Sequence, residues 1–387
     1  MKRYEDLQLN YINGVWRPGS SEKSITDSNP YNGEKLLVFQ AATVADMNEA
    51  YAGAAEKQKI WAQTNPYQIS SIMHKAAQIM QDRSEEIIDW LIKESGSTRI
   101  KAQVELNAAI GIVSHTASYP FLMETKIAAS VIPDKVNYII RKPVGVVGVI
   151  SPFNFPLHLT VRSVAGALAA GNGVVLKPSS NTPVTGGTLV AKIFEEAGIP
   201  GGVFSVIVPK TSEIGDAFYE HPIPDVISFT GSTSVGMRIG EVAGRNIKKT
   251  MLELGGNNAI VVLDDADVDY AVKACVFGRF FHSGQICMSA NRIIIDESIF
   301  EEFADKYVSL VKTLKVGDPS LPDTLVGPLI TEDEAVRVVD WVEKARAEGA
   351  QILLEGKRED AVVYPMSSKG QMKLGPQKMK CLVLLRR

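Results

Sequence analysis

Residues 145–156 have the sequence GVVGVISPFNFP, and this stretch indicates the fold class of the chain. Its first half is a short, continuously apolar run, which is typical of a strand buried on both faces of a sheet. In its second half, prolines on both sides of Asn154 fix a loop. A helical pattern follows, through Val161 to Ala170. The stretch therefore predicts a strand, loop and helix unit of an α/β protein.

The same alternation of apolar strands and helices continues towards the C-terminus. We predict further strands at residues 174–176, 203–208, 226–229 and 249–254. A helix is expected over residues 182–197, ending at Gly198. Because buried strands separated by helices form parallel sheets covered on both faces, these patterns predict a Rossmann-like α/β fold. Such sheets bind ligands at the carboxyl ends of their strands.

The length of 387 residues exceeds the usual size of one hydrophobic core, so two domains are expected. A second strand and helix cycle begins at residues 259–263, and we place the boundary near Gly255. The predicted parts are a first domain (1–128 and 146–254), an arm (129–145), a second α/β domain (255–365) and a tail (366–387). The arm region resembles a two-stranded ribbon that reaches another subunit; an ordinary surface hairpin is the alternative.

The composition excludes several classes of protein. A net charge of −3, from 41 basic and 44 acidic residues, gives no reason to expect nucleic acid or an anionic membrane as a partner. No apolar run approaches the roughly 18 residues of a membrane span. The five histidines fall at no metal-binding spacing, so no metal site is predicted. The three cysteines form no C-x-x-C pair and fit a reducing cytoplasm.

Residues 280–292, FFHSGQICMSANR, place Cys287 in a loop directly before an apolar strand pattern. A thiol at such a junction can meet a substrate and act as a nucleophile. An isolated cysteine is more often a small buried hydrophobe, so the stretch alone leaves both interpretations open.

Two further side chains can support reactions at a carbonyl group. Asn154 offers amide donors from a rigid loop, where they could bind an oxyanion, although it could instead cap the helix that follows. Glu253 lies inside an apolar run, and burial would raise its pKa towards that of a general base. A buried structural glutamate is the alternative.

Two loops after predicted strands are suited to a nucleotide. Lys177 begins the sequence KPSS and can bind ribose or phosphate, although a solvated lysine is the ordinary interpretation. Residues 229–236, FTGSTSVG, form a strand end, a glycine turn and a helix start, which together make an anion site. The stretch is not a P-loop, because Gly236 is followed by Met237.

Five motifs in this order, SPFNFP, KPSS, FTGSTSVG, LELGG and FHSGQICMSANR, resemble the aldehyde dehydrogenase superfamily over about Tyr11 to Pro365. The resemblance implies an NAD(P)-binding domain and a catalytic domain joined by an oligomerisation arm. It also implies that Cys287 attacks the aldehyde, that Asn154 and the N–H of Cys287 hold the oxyanion, and that Glu253 activates water to hydrolyse the thioester.

The resemblance further implies NAD or NADP as cofactor, with the nicotinamide over residues 150–153, Lys177 at the adenosine ribose and Ser232 at the pyrophosphate. The implied cofactor residues are Ile150, Ser151, Pro152, Phe153, Lys177, Ser179, Ser180, Phe229, Gly231, Ser232, Val235, Leu254 and Gly255. Many NAD-specific members have glutamate at the position of Ser180, so NADP should also be accepted here. Phe153 and the Phe280-Phe281-His282 segment resemble benzaldehyde and vanillin dehydrogenases, which favours an aromatic aldehyde. An aliphatic aldehyde such as succinate semialdehyde is the next candidate, and His282 is expected to shape the site.

The likeness fades after Pro365. The last 22 residues contain six bases and no acid, and the Glu-x-Phe-Gly-Pro motif expected of the family is missing. We interpret this change as a frameshift with an early stop, with a short basic tail as the alternative. The resemblance implies a homodimer or a homotetramer. Loss of the C-terminal part predicts exposed strand edges with low activity, poor solubility or both, and an inactive nucleotide-binding remnant is the second functional hypothesis.

Overall fold

The computed structural model describes residues 2–374 and 377–383, with side chains up to Lys369. The chain divides into two units. The first contains the residues up to Asp27 together with Lys35–Trp90 and Val104–Leu254, and the second contains Ser28–Glu34, Leu91–Gln103 and the residues from Gly255 onward. In the described part of the chain, no helix has the length and apolar character needed to cross a membrane.

The N-terminal part forms two hairpins, four helices and a ribbon. The hairpin strands are β1 (Asn10–Ile12), β2 (Val15–Arg17), β3 (Ser24–Ser28) and β4 (Lys35–Gln40). The helices are α1 (Val44–Trp61), α2 (Pro66–Asp82), α3 (Ser84–Ser95) and α4 (Arg99–Thr116). A 3₁₀ turn follows at Tyr119–Leu122, and the ribbon consists of β5 (Thr125–Ala129) and β6 (Val136–Ile140).

Residues 146–253 alternate between strands and helices, as the apolar runs predicted. The elements are β7 (Val146–Ile150), α5 (Pro156–Ala169), β8 (Gly173–Lys177), α6 (Leu189–Ala197), β9 (Phe204–Val206), α7 (Thr211–Ile214), α8 (Ala217–Glu220), β10 (Val226–Thr230), α9 (Thr233–Arg245) and β11 (Lys249–Glu253). A π-helical turn at Val184–Thr188 leads into α6. Gly198 ends α6 in the left-handed region, at φ 103°, where glycine carries no Cβ penalty.

The sheet of the first unit has the strand order β11-β10-β7-β8-β9-β1-β2. Strands β7 to β11 are parallel, and β1 joins β9 in the antiparallel direction. In order of appearance the parallel strands run 3-2-1-4-5, so the predicted Rossmann-like α/β fold is confirmed. The chain reverses its direction of winding between β7 and β10, and this switch point is where such sheets bind ligands.

The second unit contains its own sheet and helices. Its elements are β12 (Asn258–Val262), α10 (Val268–Phe280), a 3₁₀ turn (Phe281–Gly284), β13 (Ala290–Asp296), α11 (Phe300–Lys312), α12 (Glu332–Ala347), β14 (Gln351–Leu354), β15 (Arg358–Glu359), β16 (Val362–Val363), β17 (Ser367–Leu374) and β18 (Gln377–Val383). The main sheet has the order β12-β13-β18-β17-β14. Helices α10 and α11 pack on it through a core that includes Cys275, Phe303 and Tyr307.

Three observations adjust the expectations from the sequence. The ribbon begins at Thr125, before the predicted arm (129–145), and residues 130–135 within that arm connect β5 to β6. Residues 28–34 and 91–103 belong to the second unit, although both precede Gly255. In the predicted tail, β18 pairs with β13 and β17 pairs with β14. Gly375-Pro376 and residues 384–387 of the tail lie outside the described residues.

Candidate active site

The carboxyl ends of four parallel strands bring together the predicted residues of the first unit. Ile150 ends β7 and is in register with Lys177 of β8 on one side and with Phe229 of β10 on the other. Thr230, the last residue of β10, is in register with Glu253 of β11. The loops after these strands therefore emerge at one edge of the sheet, beside the switch point.

The start of α9 forms a cradle for an anion. Ser232 is the N-cap, and its hydroxyl accepts a hydrogen bond from the N–H of Val235 at 3.4 Å. Both residues are exposed, and the first turn contains no acidic side chain. A Cβ on Gly231 would lie 2.4 Å from the ring of Phe229, so the turn requires glycine. The positive end of the helix dipole at this terminus suits a pyrophosphate.

Close packing of α9 on the end of β11 completes the cradle. A Cβ on Gly236 would lie 2.3 Å from Cδ2 of Leu254, so glycine allows the helix to approach the strand. The N–H of Gly231 donates to the carbonyl of Glu253 at 3.0 Å. Leu254 is half-buried and Gly255 is exposed. These residues fit the diphosphate of a dinucleotide.

The last residue of β8 is a lysine with an unusual environment. Lys177 is half-buried, and burial lowers its pKa to about 8. The hydroxyl of Ser179 accepts a hydrogen bond from the N–H of Asn181 at 3.3 Å, which stabilises the turn. Ser180 is exposed and presents no charge at this edge. A lysine with a serine nearby fits a ribose, and no carboxylate at position 180 opposes a phosphate.

The loop after β7 is held by hydrogen bonds to its neighbours. The N–H of Ser151 donates to the carbonyl of Lys177, and the hydroxyl of Ser151 donates to the carbonyl of Gly186, both at 3.2 Å. Pro152 is buried, whereas Phe153 and Asn154 are half-buried. The segment therefore places Asn154 on an anchored loop.

Asn154 does not act as the N-cap of α5. That position belongs to Phe155, which makes no side-chain capping hydrogen bond. The Oδ1 atom of Asn154 accepts a hydrogen bond from the N–H of Phe155 at 2.9 Å, which orients the side-chain amide. The N-cap position of α5, which was the alternative for Asn154, is thus occupied by Phe155.

The predicted burial of Glu253 is wrong. Its side chain is 63% exposed, and Oε1 lies 3.8 Å from Nη2 of Arg162. Strand β11 is an edge strand of the sheet, and its residues alternate between exposed and half-buried. The apolar run around Glu253 indicated burial on both faces, but an edge strand with one open face places alternate side chains in solvent.

In the second unit, Cys287 is exposed and its thiol is free. It follows a turn in which His282, Ser283 and Gly284 all have left-handed backbone, with φ of 51°, 54° and 73°. Such conformations are costly for residues other than glycine and concentrate at functional sites. His282 is 1% exposed, so its side chain lies inside the unit.

Cys275 provides the contrast within the same unit. It lies on α10 and is fully buried in the core of this unit, and burial raises the pKa of its thiol to about 12. The default interpretation of an isolated cysteine, a small buried hydrophobe, therefore applies to Cys275 and not to Cys287.

Polar side chains that the sequence interpretation missed hold the turn before Cys287. Gln285 is buried; its Nε2 donates to the carbonyl of Pro328 at 3.2 Å, and its Oε1 accepts from the N–H of Ile330 at 2.9 Å. The hydroxyl of Ser283 donates to the carbonyl of Gly327 at 2.8 Å. The available signal for Gln285 was its position as a polar residue directly before an apolar run. Its hydrogen-bond partners, however, lie about 40 residues further along the chain, and no local pattern indicates them.

A second missed group lies beneath the same turn. Arg279 is buried, and burial lowers its pKa to about 10. Its Nη1 donates to Oδ1 of Asn291 at 3.0 Å, and Nδ2 of Asn291 donates to the carbonyl of Gly256 at 3.1 Å. This chain of contacts joins the end of α10 to Gly256, near the start of the segment of the second unit that begins at Gly255.

The predicted residues thus fall into two sets. The carboxyl edge of the first sheet holds Asn154, Glu253 and the cofactor candidates up to Leu254, whereas Gly255 and Cys287 belong to the second unit. Among residues 2–374 and 377–383, no group of three or more His, Cys, Asp or Glu side chains is arranged to hold a metal ion.

A family model and two relatives of similar sequence all point to the same family of enzymes. A family model described as "Aldehyde dehydrogenase family" matches residues 16–369. The chain is 48% identical to a benzaldehyde dehydrogenase of Bacillus subtilis over 365 residues, covering 94% of this chain and 75% of the relative. It is also 48% identical to a vanillin dehydrogenase of Corynebacterium glutamicum over 362 residues, covering 93% of this chain and 75% of that relative.

The fold of the chain is also similar to that of a solved structure. The crystal structure of an NAD-dependent benzaldehyde dehydrogenase from Corynebacterium glutamicum superposes with a TM-score of 0.91 at 46% identity. The superposition covers 95% of this chain and 80% of that one.

Proposed function

Because the chain belongs to the aldehyde dehydrogenase family, whose members oxidise aldehydes, we propose that it oxidises an aromatic aldehyde to the carboxylic acid with NAD or NADP. The observation that carries the proposal is the exposed thiol of Cys287 at the end of a strained turn. Cys275 on α10 is buried and resists ionisation, so the chain offers one accessible thiol among its described side chains. A thiolate is both a strong nucleophile and a tolerable leaving group, as a covalent route to an acid requires.

The cofactor assignment is supported by the residues at the first sheet edge. The start of α9, with Gly231, Ser232 and Val235, would hold the diphosphate, and Lys177 with Ser179 would hold the adenosine ribose. Residues 150–153, Phe229, Leu254 and Gly255 would line the remaining length. When bound, NAD or NADP supplies the acceptor for the two electrons that the substrate loses. Ser180 leaves room for the additional phosphate of NADP.

Each proposed step assigns a task to one side chain. The Sγ atom of Cys287 attacks the carbonyl carbon, a carbon–sulfur bond forms, and the oxygen takes the negative charge of a thiohemiacetal. Asn154 and the backbone N–H of Cys287 donate hydrogen bonds to that oxygen. After oxidation a thioester remains on Cys287. Glu253 removes a proton from water, the hydroxide attacks the thioester, and the carbon–sulfur bond breaks to release the acid and the thiolate.

The exposure of Glu253 modifies how this carboxylate would work. An exposed carboxylate has direct access to water, which is its proposed substrate. The guanidinium of Arg162, 3.8 Å away, would hold the carboxylate at the edge of the sheet. Glu253 would therefore act through its position at the strand end rather than through burial.

The aromatic substrate is supported by the relatives and by aromatic side chains near the candidate groups. Relatives at 48% identity are a benzaldehyde dehydrogenase and a vanillin dehydrogenase. Phe153 lies on the loop with Asn154, and Phe281, whose ring stacks on Phe277 at 4.8 Å, lies near Cys287 in sequence. The next candidate is an aliphatic aldehyde such as succinate semialdehyde.

The exposed ribbon β5–β6 supports assembly into a homodimer or homotetramer. Its apolar side chains Ile127, Tyr138 and Ile140 are more than half exposed, and such surface normally marks a protein interface. Sedimentation of the purified chain would test this assignment: a monomer at micromolar concentration would contradict it. We also propose a cytoplasmic location, because the accessible thiol of Cys287 needs a reducing compartment.

The proposed reaction is tested by following formation of the reduced cofactor at its absorbance band. Benzaldehyde and vanillin should give kcat/KM values at least about tenfold above those of succinate semialdehyde and acetaldehyde. The Cys287→Ser variant should lose turnover while still binding NAD. NAD binding by wild-type protein without turnover of any aldehyde would support the inactive nucleotide-binding alternative instead.

A further inference from the structure

Glu105 is a buried carboxylate that the proposed reaction does not use. It lies on α4 and is 0% exposed, which is rare for a glutamate unless it has strong partners. Its Oε1 accepts hydrogen bonds from the N–H of Leu157 at 2.9 Å and from the N–H of His158 at 3.2 Å. Both donors belong to the first turn of α5, in the same unit as Glu105.

The first turn of α5 needs an external acceptor. An α-helix leaves its first N–H groups without partners inside the helix. Pro156 has no N–H, and the N-cap residue Phe155 provides no capping side chain, so no residue at the start of α5 takes the role of an N-cap serine or aspartate. Glu105 replaces that cap from a different helix, and its negative charge suits the positive end of the helix dipole.

Asn154 is connected to the same turn. Its Oδ1 accepts the N–H of Phe155, so the orientation of the Asn154 amide depends on where the backbone of Phe155 and Pro156 lies. On the other side, the loop is fixed to β8 through Ser151. The loop thus has two anchors, and Glu105 provides the one next to Asn154.

We infer that Glu105 is a positioning residue for the oxyanion site: its carboxylate fixes the first turn of α5 and through it the amide of Asn154. The inference rests on the proposed function of Asn154. Loss of the carboxylate lets the turn and the amide shift. A misplacement of about 1 Å can lower a rate by about 100-fold.

The test uses a reaction in which Cys287 and the oxyanion site act without the cofactor. In this reaction the activated ester p-nitrophenyl acetate acylates Cys287, and the nitrophenolate released in that step measures the acylation rate. Asn154→Ala should lower the acylation rate by about 100-fold. Glu105→Ala should lower it by about 10- to 100-fold. Glu105→Gln keeps an oxygen at Oε1 and should restore most of the rate.

A double variant separates positioning from a general loss of structure. If Glu105 acts through Asn154, the Glu105→Ala/Asn154→Ala variant should be no slower than Asn154→Ala alone. Thr43→Ala is the matched control, because it removes the N-cap of α1 in the same unit and should leave the acylation rate unchanged. Thermal denaturation of each variant sets a temperature at which all are folded.

The outcomes distinguish the two claims. No effect of Asn154→Ala on acylation would contradict the proposed oxyanion role itself. A large effect of Asn154→Ala with no effect of Glu105→Ala, or with losses that multiply in the double variant, would overturn the role of Glu105. An equal loss of acylation rate in Thr43→Ala would also overturn the role of Glu105, because the loss of any helix cap in this unit would then slow acylation.

Discussion

The side-chain amide of Asn258 donates a hydrogen bond of 2.6 Å to the backbone carbonyl of Cys287. This bond fixes the peptide plane that follows the candidate nucleophile, and Asn258 is the first residue of strand β12, near the start of the segment of the second unit that begins at Gly255. The thiol is therefore held from both sides: Gln285 anchors the turn before it, and Asn258 anchors the peptide after it.

Replacing Asn258 should impair the reactivity of the thiol. Asn258→Asp has a similar shape but cannot donate to the Cys287 carbonyl, so it should lower the acylation rate by about tenfold, the effect of one lost hydrogen bond of about 1.4 kcal/mol. The rate of Cys287 acylation measures this effect. The account fails here if Asn258→Asp acylates at the rate of the wild type.

Gly256 should tolerate no side chain. A Cβ at this position would lie 2.7 Å from the carbonyl oxygen of Cys287, so Gly256→Ala must displace the peptide that Asn258 fixes. We expect a large loss of aldehyde oxidation. The control is Gly244→Ala in α9, where a Cβ meets no atom within 4 Å and should stabilise the fold by about 0.5–1 kcal/mol. Equal rates of aldehyde oxidation in the two variants would show that a side chain at position 256 does not displace the Cys287 peptide.

The two thiols should differ in alkylation by iodoacetamide, measured by peptide mass spectrometry. Cys287 is exposed and should be modified in the folded protein, whereas Cys275 should react only on unfolding. Burial raises the pKa of Cys275 from 9.0 to about 12, so its neutral thiol stabilises the fold fully below pH 9. This contribution is lost as the pH rises from 9 towards 12, because the unfolded chain releases its proton first. Alkylation of Cys275 in folded protein at pH 8 would refute the assignment.

Lys177 should make the stability of the fold depend on pH in the opposite sense. Burial lowers its pKa from 10.5 to about 8, so between these values the unfolded chain binds more protons than the folded one. The free energy of unfolding therefore rises with pH across this window. Lys177→Met removes the buried charge, and it should raise Tm relative to wild type more at pH 7 than at pH 10.

The same variant should bind the cofactor more weakly, which isothermal titration would show. Lys344→Met is the control, since Lys344 is exposed on α12, where its ammonium group lies 4.0 Å from Glu348. A Tm difference for Lys177→Met that does not change with pH would contradict the burial of the ammonium group.

Cofactor choice should depend on the charge at position 180. Ser180 is exposed and uncharged, so NADP should be accepted beside NAD. A carboxylate there would repel the extra phosphate, and Ser180→Glu should lower kcat/KM for NADP by about tenfold or more while changing that for NAD little. A wild-type preference for NAD over NADP of about 10³-fold, equal to about 4 kcal/mol, would show that other residues exclude the phosphate.

The sequence predicted the first sheet well because its strands are short, apolar and buried on both faces. Strands β7, β8 and β10 appear where the runs at residues 145–150, 174–176 and 226–229 placed them. The same rule failed for Glu253, since an apolar run does not reveal that β11 is an edge strand with one open face. Burial depends on strand order, which local patterns do not contain.

Long-range packing explains the other differences. Gly96, in the left-handed region at φ 64°, lies against Pro30 and Pro328, and a Cβ there would come within 2.7 Å of Pro328. The N–H of Arg99 donates to the carbonyl of Pro319. These contacts associate residues 91–103 with the second unit, and no pattern near Gly96 indicates partners so far along the chain. The role of Glu105 as an acceptor could not be predicted for the same reason, because its donors lie at the distant start of α5.

In the proposed reaction, Cys287 carries the substrate as a thioester that Glu253 helps to hydrolyse. The most direct measurement is mass spectrometry of the Glu253→Gln variant after a brief incubation with benzaldehyde and NAD. The account predicts a benzoyl group on the peptide that contains Cys287, removed by hydroxylamine and absent when NAD is omitted. Benzoate formation at the wild-type rate with no such adduct, or an adduct on another residue, would contradict it.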